Sequence, residues 1–226
     1  MFTDFTIKRS AKRRTVGISI YPDLRVVVSA PFRYPEEKLQ AFVREKSSWI
    51  EEKLKEFAKY GPAQPKRTYQ SGDRISILGK TYVLKVFEGP LNQAHLTENE
   101  VLIEATSTKR TKEAFARLLH AQAAQHLKGR IIHFANQLRV QPKSLTIKDY
   151  KSRWGTCKST GDIVLNWRIL LSSEAIVDYV VVHELSHLIE FNHSRAFWRV
   201  VGSAFPDYKR ARKVLRESSR RGDLDL

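Results

Sequence analysis

The stretch VVHELSHLIEFNHSRAFW (residues 181–198) decides how the rest of the chain is read. Three of the seven histidines fall in it: His183, His187 four residues on, and His193 six further. From about Ser173 to Phe191 the sequence is apolar around most of a helical circumference. Val177, Val181, Leu185 and Leu188 make one stripe, with His183 and His187 on nearly the opposite side. Two imidazoles one turn apart on a common face can hold one cation together. A helix this apolar is buried, where histidines without partners are costly. Neutral imidazole suits zinc, a borderline-soft ion that prefers four ligands. Glu184, adjacent in sequence but displaced around the helix, can reach a metal-bound water without being a ligand; this is the mechanical content of the H-E-x-x-H spacing.

A catalytic metal needs a third protein ligand and an open position. On an unbroken helix His193 would sit about 240° around from His187 and point away. The sequence therefore predicts a turn, with Asn192 in the left-handed conformation of a C-cap. Ser194 then caps a new helix, SRAFWRVVGSAF, which Phe197 and Trp198 pack against the first. Two rivals for the third ligand are Glu190, on the same stripe as the first two histidines, and Cys157 as a thiolate. The turn and cap residues favour His193, leaving Cys157 as a small packed side chain and Glu190 to orient a histidine from outside. A buried helix with incidental histidines is the plain alternative. The third histidine, the apolar helix and the strand just before it weigh against that.

The bulk composition sets the setting. Among 226 residues, 42% are hydrophobic and 28% charged, enough to bury a real core. A single cysteine excludes an intrachain disulfide and fits a reducing compartment. The N-terminal MFTDFTIKRSAKRR lacks an apolar run of signal-peptide type, and no apolar run approaches a membrane span. The expectation is a cytoplasmic protein with no membrane partner. Forty Lys and Arg against 24 Asp and Glu leave a net charge of +16, concentrated at Lys8–Arg14 and Lys209–Arg221. Such patches suit phosphate polyanions, although solubility alone can explain them and no readout motif accompanies them.

Along the chain, VGISIYPDLRVVVSA reads as a hairpin around Tyr21-Pro22-Asp23, and Glu36 to Ala58 as one amphipathic helix. Residues 61–73 read as a connector, followed by a second hairpin at Gly79-Lys80 and a strand at VLIEA. A long helix begins near Thr111; its His120, His126 and His133 lack ligand spacing and read as ordinary positions. SLTIKDY reads as a strand, and so does Asp162 to Leu170, with Ser172 or Ser173 capping the next helix. The predicted organisation is α+β: a β-rich region over 1–105 carrying the helix about 36–58, and a second domain over 106–226.

DYVVVHELSHLIEFNHSRAFW, with RWGTCKSTGDIVLNWRIL upstream, resembles the YgjP-like metallopeptidases, a bacterial family related to the SprT-like and WLM zinc proteases. The resemblance is sharpest from Ile147 to Trp198 and leaves no motif residue missing. It implies a zincin-like fold, one zinc ion on His183, His187 and His193, and Glu184 as catalytic glutamate. The expectation is thus a zinc metallopeptidase acting on proteins or peptides, with the strand through Ile163, Leu165 and Trp167 as its substrate-aligning edge. Tyr179, Tyr208, Arg153 and Asn166 are unranked candidates for oxyanion or substrate contacts. The alternatives are a nucleic-acid-binding protein with a structural or vestigial metal site, and a protease acting on DNA-associated proteins.

Overall fold

Alternating apolar residues near the N-terminus build a three-stranded sheet from β1 (Thr6–Ser10), β2 (Gly17–Ile20) and β3 (Val26–Pro31). Its order is β1-β3-β2, with β1 parallel and β2 antiparallel to the central strand. The computed structural model describes residues 4–21, 23–59, 68–150 and 153–221. Pro22, most of the expected connector and the C-terminal residues from Gly222 lie outside the described residues.

Val26, Val28 and Ala30 point from β3 onto Leu39, Val43 and Ile50, which forms the small core of this region. The helix expected over 36–58 is two helices, α1 (Glu36–Glu45) and α2 (Ser47–Ala58), broken at Lys46. No proline or glycine marks the break. The Ser47 hydroxyl donates to the Val43 carbonyl at 3.2 Å, a side-chain bond that competes with a regular helical ladder.

By contacts the chain divides into Met1–Pro65 with Arg216–Asp223, and Lys66–Leu215 with Leu224–Leu226. Residue 105, where the sequence placed a boundary, falls inside the second unit. The reason is packing: β4 (Arg74–Ile77), β5 (Lys80–Phe87), β6 (Gln93–Leu96) and β7 (Glu100–Glu104) form a sheet of order β4-β5-β7-β6. Its Ile75, Leu84, Val101 and Ile103 share one core with Phe115, Leu119 and Leu127 of α3 (Thr108–Leu138). The β4–β5 hairpin turns at Leu78-Gly79, both with positive φ, as a two-residue turn of type I′ requires. Its tip is anchored: Leu78 N–H donates to the Leu170 carbonyl at 2.7 Å.

A third sheet, in the same unit, contains β8 (Ser144–Lys148), β9 (Gly155–Cys157) and β10 (Asp162–Asn166) in the order β8-β10-β9. The strand expected from Asp162 to Leu170 stops at Asn166. There the Asn166 side chain accepts the Arg168 N–H and starts a 3-10 helix, Trp167–Leu171. Helix α4 (Glu174–Ser186) follows, with Val177, Val181, Val182 and Leu185 fully buried. Ser173 holds its N-cap position without a side-chain cap bond. A bidentate pair fixes α4 to α3, with the Arg130 Nε and Nη2 donating to the Asp178 carboxylate at 2.6 and 2.9 Å. Partly buried and two-pronged, it sets the roll of α4 more firmly than a single-point contact would. Helices α5 (Arg195–Ala204) and α6 (Tyr208–Arg221) complete the chain.

Candidate metal centre

One turn of α4 separates His183 from His187, and the turn after α4 brings His193 back toward both. The carbonyl of Leu185 accepts from Leu188 N–H, and that of Ser186 from Ile189 and Glu190 N–H. These bonds close the helix tightly, so Asn192 has no left-handed conformation, contrary to the sequence expectation. Ser194 caps α5 as expected, its hydroxyl accepting Phe197 N–H at 3.2 Å.

The three imidazoles converge. Their candidate ligand atoms all lie within 4.8 Å of one another, and Nε2 of His183 is 3.0 Å from Nε2 of His193. Two nitrogens bound to one tetrahedral zinc at 2.0–2.1 Å would sit roughly 3.4 Å apart, so the donor set fits such an ion. Nδ1 of His187 lies 3.3 Å from the Glu190 carbonyl. A carbonyl only accepts, so Nδ1 carries the proton there and Nε2 keeps its lone pair for a metal. Glu190 thus orients His187 through its backbone rather than its carboxylate.

Burial, then the neighbouring His187, His193 and Arg212, lowers the His183 pKa to about 3 and keeps the ring neutral. Burial also lowers His187, against the opposing effect of the Glu190 carbonyl. The His183 Nδ1 is buried with no hydrogen-bond partner among the described residues. Its orientation rests on aromatic packing instead. Tyr179 lies edge-on at 5.9 Å, Phe197 edge-on at 5.0 Å and Trp198 tilted at 5.9 Å. Phe197, fully buried, also stacks on His187 at 4.6 Å, and Trp198 on His193 at 5.8 Å. Sequence reasoning assigned Phe197 and Trp198 to helix packing alone; they wall the imidazoles as well.

Glu184, the residue after His183, packs its side chain against β9. Burial pushes its pKa up to about 7, opposed by a hydrogen bond from the Cys157 backbone N–H. On either side of β9, the Trp154 carbonyl accepts from Asn166 N–H and Lys158 N–H donates to the Asp162 carbonyl, both across to β10. Residues 155 and 157 therefore turn their backbone groups to the open edge, by the alternation of an antiparallel ladder. Gly155 is the neighbour that makes this possible: a Cβ there would lie 2.7 Å from both Cγ and Oε1 of Glu184. A glycine inside a short strand was the readable signal of such a close approach, and sequence reasoning missed it.

Several expectations change. β10, anticipated as the edge, has β8 on one side and β9 on the other, so it is the central strand and β8 and β9 are the edges of this sheet. Trp167 belongs to the 3-10 helix rather than to the strand. Asn166 is spent on structure, its Nδ2 donating to the Tyr150 and Arg153 carbonyls at 2.8 and 2.9 Å. Cys157 stands apart from the imidazole cluster. Burial first, then Glu184 and Asp162, raises its pKa to about 11, and it remains a neutral thiol. Tyr179 is raised to about 12 by burial and keeps its hydroxyl proton beside His183.

A fold of mixed helices and sheets that gathers three imidazoles beside a buried glutamate has the layout of a metal-dependent hydrolase. The family model "YgjP-like, metallopeptidase domain" matches residues 14–218, and the chain belongs to that family. It is accordingly a metallopeptidase, whose family implies a bound metal and a protein substrate. No curated protein matches it. Among solved structures it is similar to the metallopeptidase zymogen abylysin of Pyrococcus abyssi: 26% identity over 42% of this chain and 96% of that one, TM-score 0.38. No helix among the described residues is long and apolar enough to cross a membrane.

Proposed function

We propose that the chain is a zinc-dependent peptidase of zincin-like architecture, with one ion on His183, His187 and His193 and Glu184 as general base. The observation that carries this reading is the convergence of three imidazoles within 4.8 Å, one residue from a buried glutamate. Zinc bound there would polarise the scissile carbonyl and acidify its water. The chain's own residues do the rest. His187 is aimed by the Glu190 carbonyl, and His183 and His193 by the Tyr179, Phe197 and Trp198 rings. Glu184, with a pKa near 7, takes the proton of the attacking water and hands it to the leaving amine; a base and acid poised near working pH does both. An extended peptide pairs with the outward edge of β9, where Gly155 offers backbone without a side chain.

The nucleic-acid alternative rests on charge, and part of that charge is already engaged. Arg9 donates to the Phe32 and Tyr34 carbonyls and to Glu36, and Arg13 to the Thr15 carbonyl. Family membership favours the peptidase.

The test is metal analysis paired with peptide hydrolysis. Purified protein should hold one zinc per chain. Glu184→Gln should keep that zinc and lose hydrolysis by roughly a hundredfold to ten-thousandfold. Hydrolysis by the variant at the wild-type rate would remove Glu184 from the mechanism, and a protein that takes up no metal would remove the reading itself.

A further inference from the structure

α6 places a positive charge beside the imidazoles that the peptidase mechanism leaves unused. Tyr208 and Arg212 are one turn apart and share a face of that helix. The Tyr208 ring stacks on Trp198 at 5.4 Å and 15°. The Arg212 guanidinium carbon lies 4.5 Å from the centre of the same indole, and Trp198 in turn stacks on His193. That chain of contacts puts the guanidinium within roughly three extended peptide residues of the cluster. Its charge is felt there: after burial and the other histidines, Arg212 contributes to the low pKa of His183.

Arg212 is solvent-exposed, and no carboxylate pairs with it among the described residues. Arg210, on the opposite side of α6, has Asp207 within 4.0 Å. An arginine packed against an indole loses less freedom when it binds than a free one, and a guanidinium carries donors in a fork that matches a carboxylate. A nucleobase fits less well, because Trp198 already stacks with His193 and Tyr208.

We infer that Arg212, fixed by Trp198, anchors a substrate carboxylate near the scissile bond, so that the enzyme favours acidic peptides. The inference rests on the peptidase reading and deepens it. The carboxylate is that of an Asp or Glu side chain, or of a free C-terminus.

The experiment separates the two failures. Wild-type hydrolysis of a neutral peptide, absent in Glu184→Gln, tests the peptidase reading alone. Carboxylate recognition is read by binding of labelled peptides to the zinc-loaded Glu184→Gln protein. One peptide scaffold is used, carrying Glu, Gln or Lys at positions flanking the cleavage site, each with a free or an amidated C-terminus. The Glu or free-acid forms should bind about tenfold more tightly than their amides, as expected for a charge-assisted pair on a partly solvated arginine.

Adding Arg212→Gln should abolish the difference, and Arg212→Glu should turn the preference toward the Lys peptide. In the active enzyme, Arg212→Gln should raise KM for the acidic peptide with kcat and zinc content unchanged, which separates recognition from support of Trp198. Equal binding of acid and amide forms overturns the inference. So does an equal loss in Arg210→Gln, which would signify general attraction to a basic protein. Displacement of the peptide by a single-stranded oligonucleotide at lower concentration, with the same dependence on Arg212, would assign the arginine to nucleic acid and overturn it too.

Discussion

Two helices of this chain carry histidines, and they use them differently. On α3, His120, His126 and His133 follow one another at spacings of six and seven. His120 rests against the Ile147 carbonyl at 3.3 Å, and His133 lies edge-on to Phe134 at 4.8 Å. A separation of seven residues spans about 10.5 Å of helix, too far for one ion. On α4 a separation of four spans about 6 Å, and the turn after Ser186 returns His193 to the same point. Histidine content is therefore uninformative by itself. What matters is one helical repeat, a tight chain reversal, and aromatic walls that fix the rings once they meet.

The sharpest way to break that contrast is to remove one ring from each helix. His187→Ala should lose the metal and lower hydrolysis by roughly a thousandfold or more, whereas His133→Ala should change neither by more than about twofold. Equal effects at the two positions, read by metal content and initial rates, would erase the distinction between the helices.

A smaller effect belongs to Gly155. Gly155→Ala drives a Cβ into the Glu184 carboxylate and should cut kcat by roughly ten- to a hundredfold. Metal content should be retained, because no imidazole is touched. A variant with wild-type kcat would mean that Glu184 need not sit where the structure holds it.

The smallest expected effect lies in stability. In metal-free protein the raised pKa of Glu184 contributes stability that is present below pH 4.5 and is lost as pH rises through about 7. Glu184→Gln escapes that loss. Its advantage over wild type should grow from pH 5 to 8, to on the order of 2 kcal/mol, measured by denaturant unfolding. His183 is shifted in both proteins, with its folded pKa lowered, so its stabilisation fades below pH 6.5 in each and cancels in the difference. A pH-independent difference would mean that the carboxyl is not buried as described.

Much of this was legible in the sequence because it is local. The period of α4, the turn before Ser194 and the cap of α5 are written in consecutive residues, and the three histidines follow from them. The break at Lys46 was hidden because it depends on a serine hydroxyl competing for a carbonyl, not on a change of pattern. Strand order was hidden for a different reason. Ile163 to Leu165 are buried and read as a strand, but nothing in them says that β8 and β9 take both sides. The β4–β7 sheet looked like part of an N-terminal domain until its apolar face was seen against Phe115 and Leu119. Arg212 had no signature at all, because its interest comes from Trp198, fourteen positions earlier.

The open side of β9 is also a place where another polypeptide could add itself, and natural sheets guard such places against self-association. Here the guard is the Glu184 carboxylate, which holds one of the two outward amides of a three-residue strand. An unwanted neighbour finds too little free ladder to zip onto, because one of those amides is already taken.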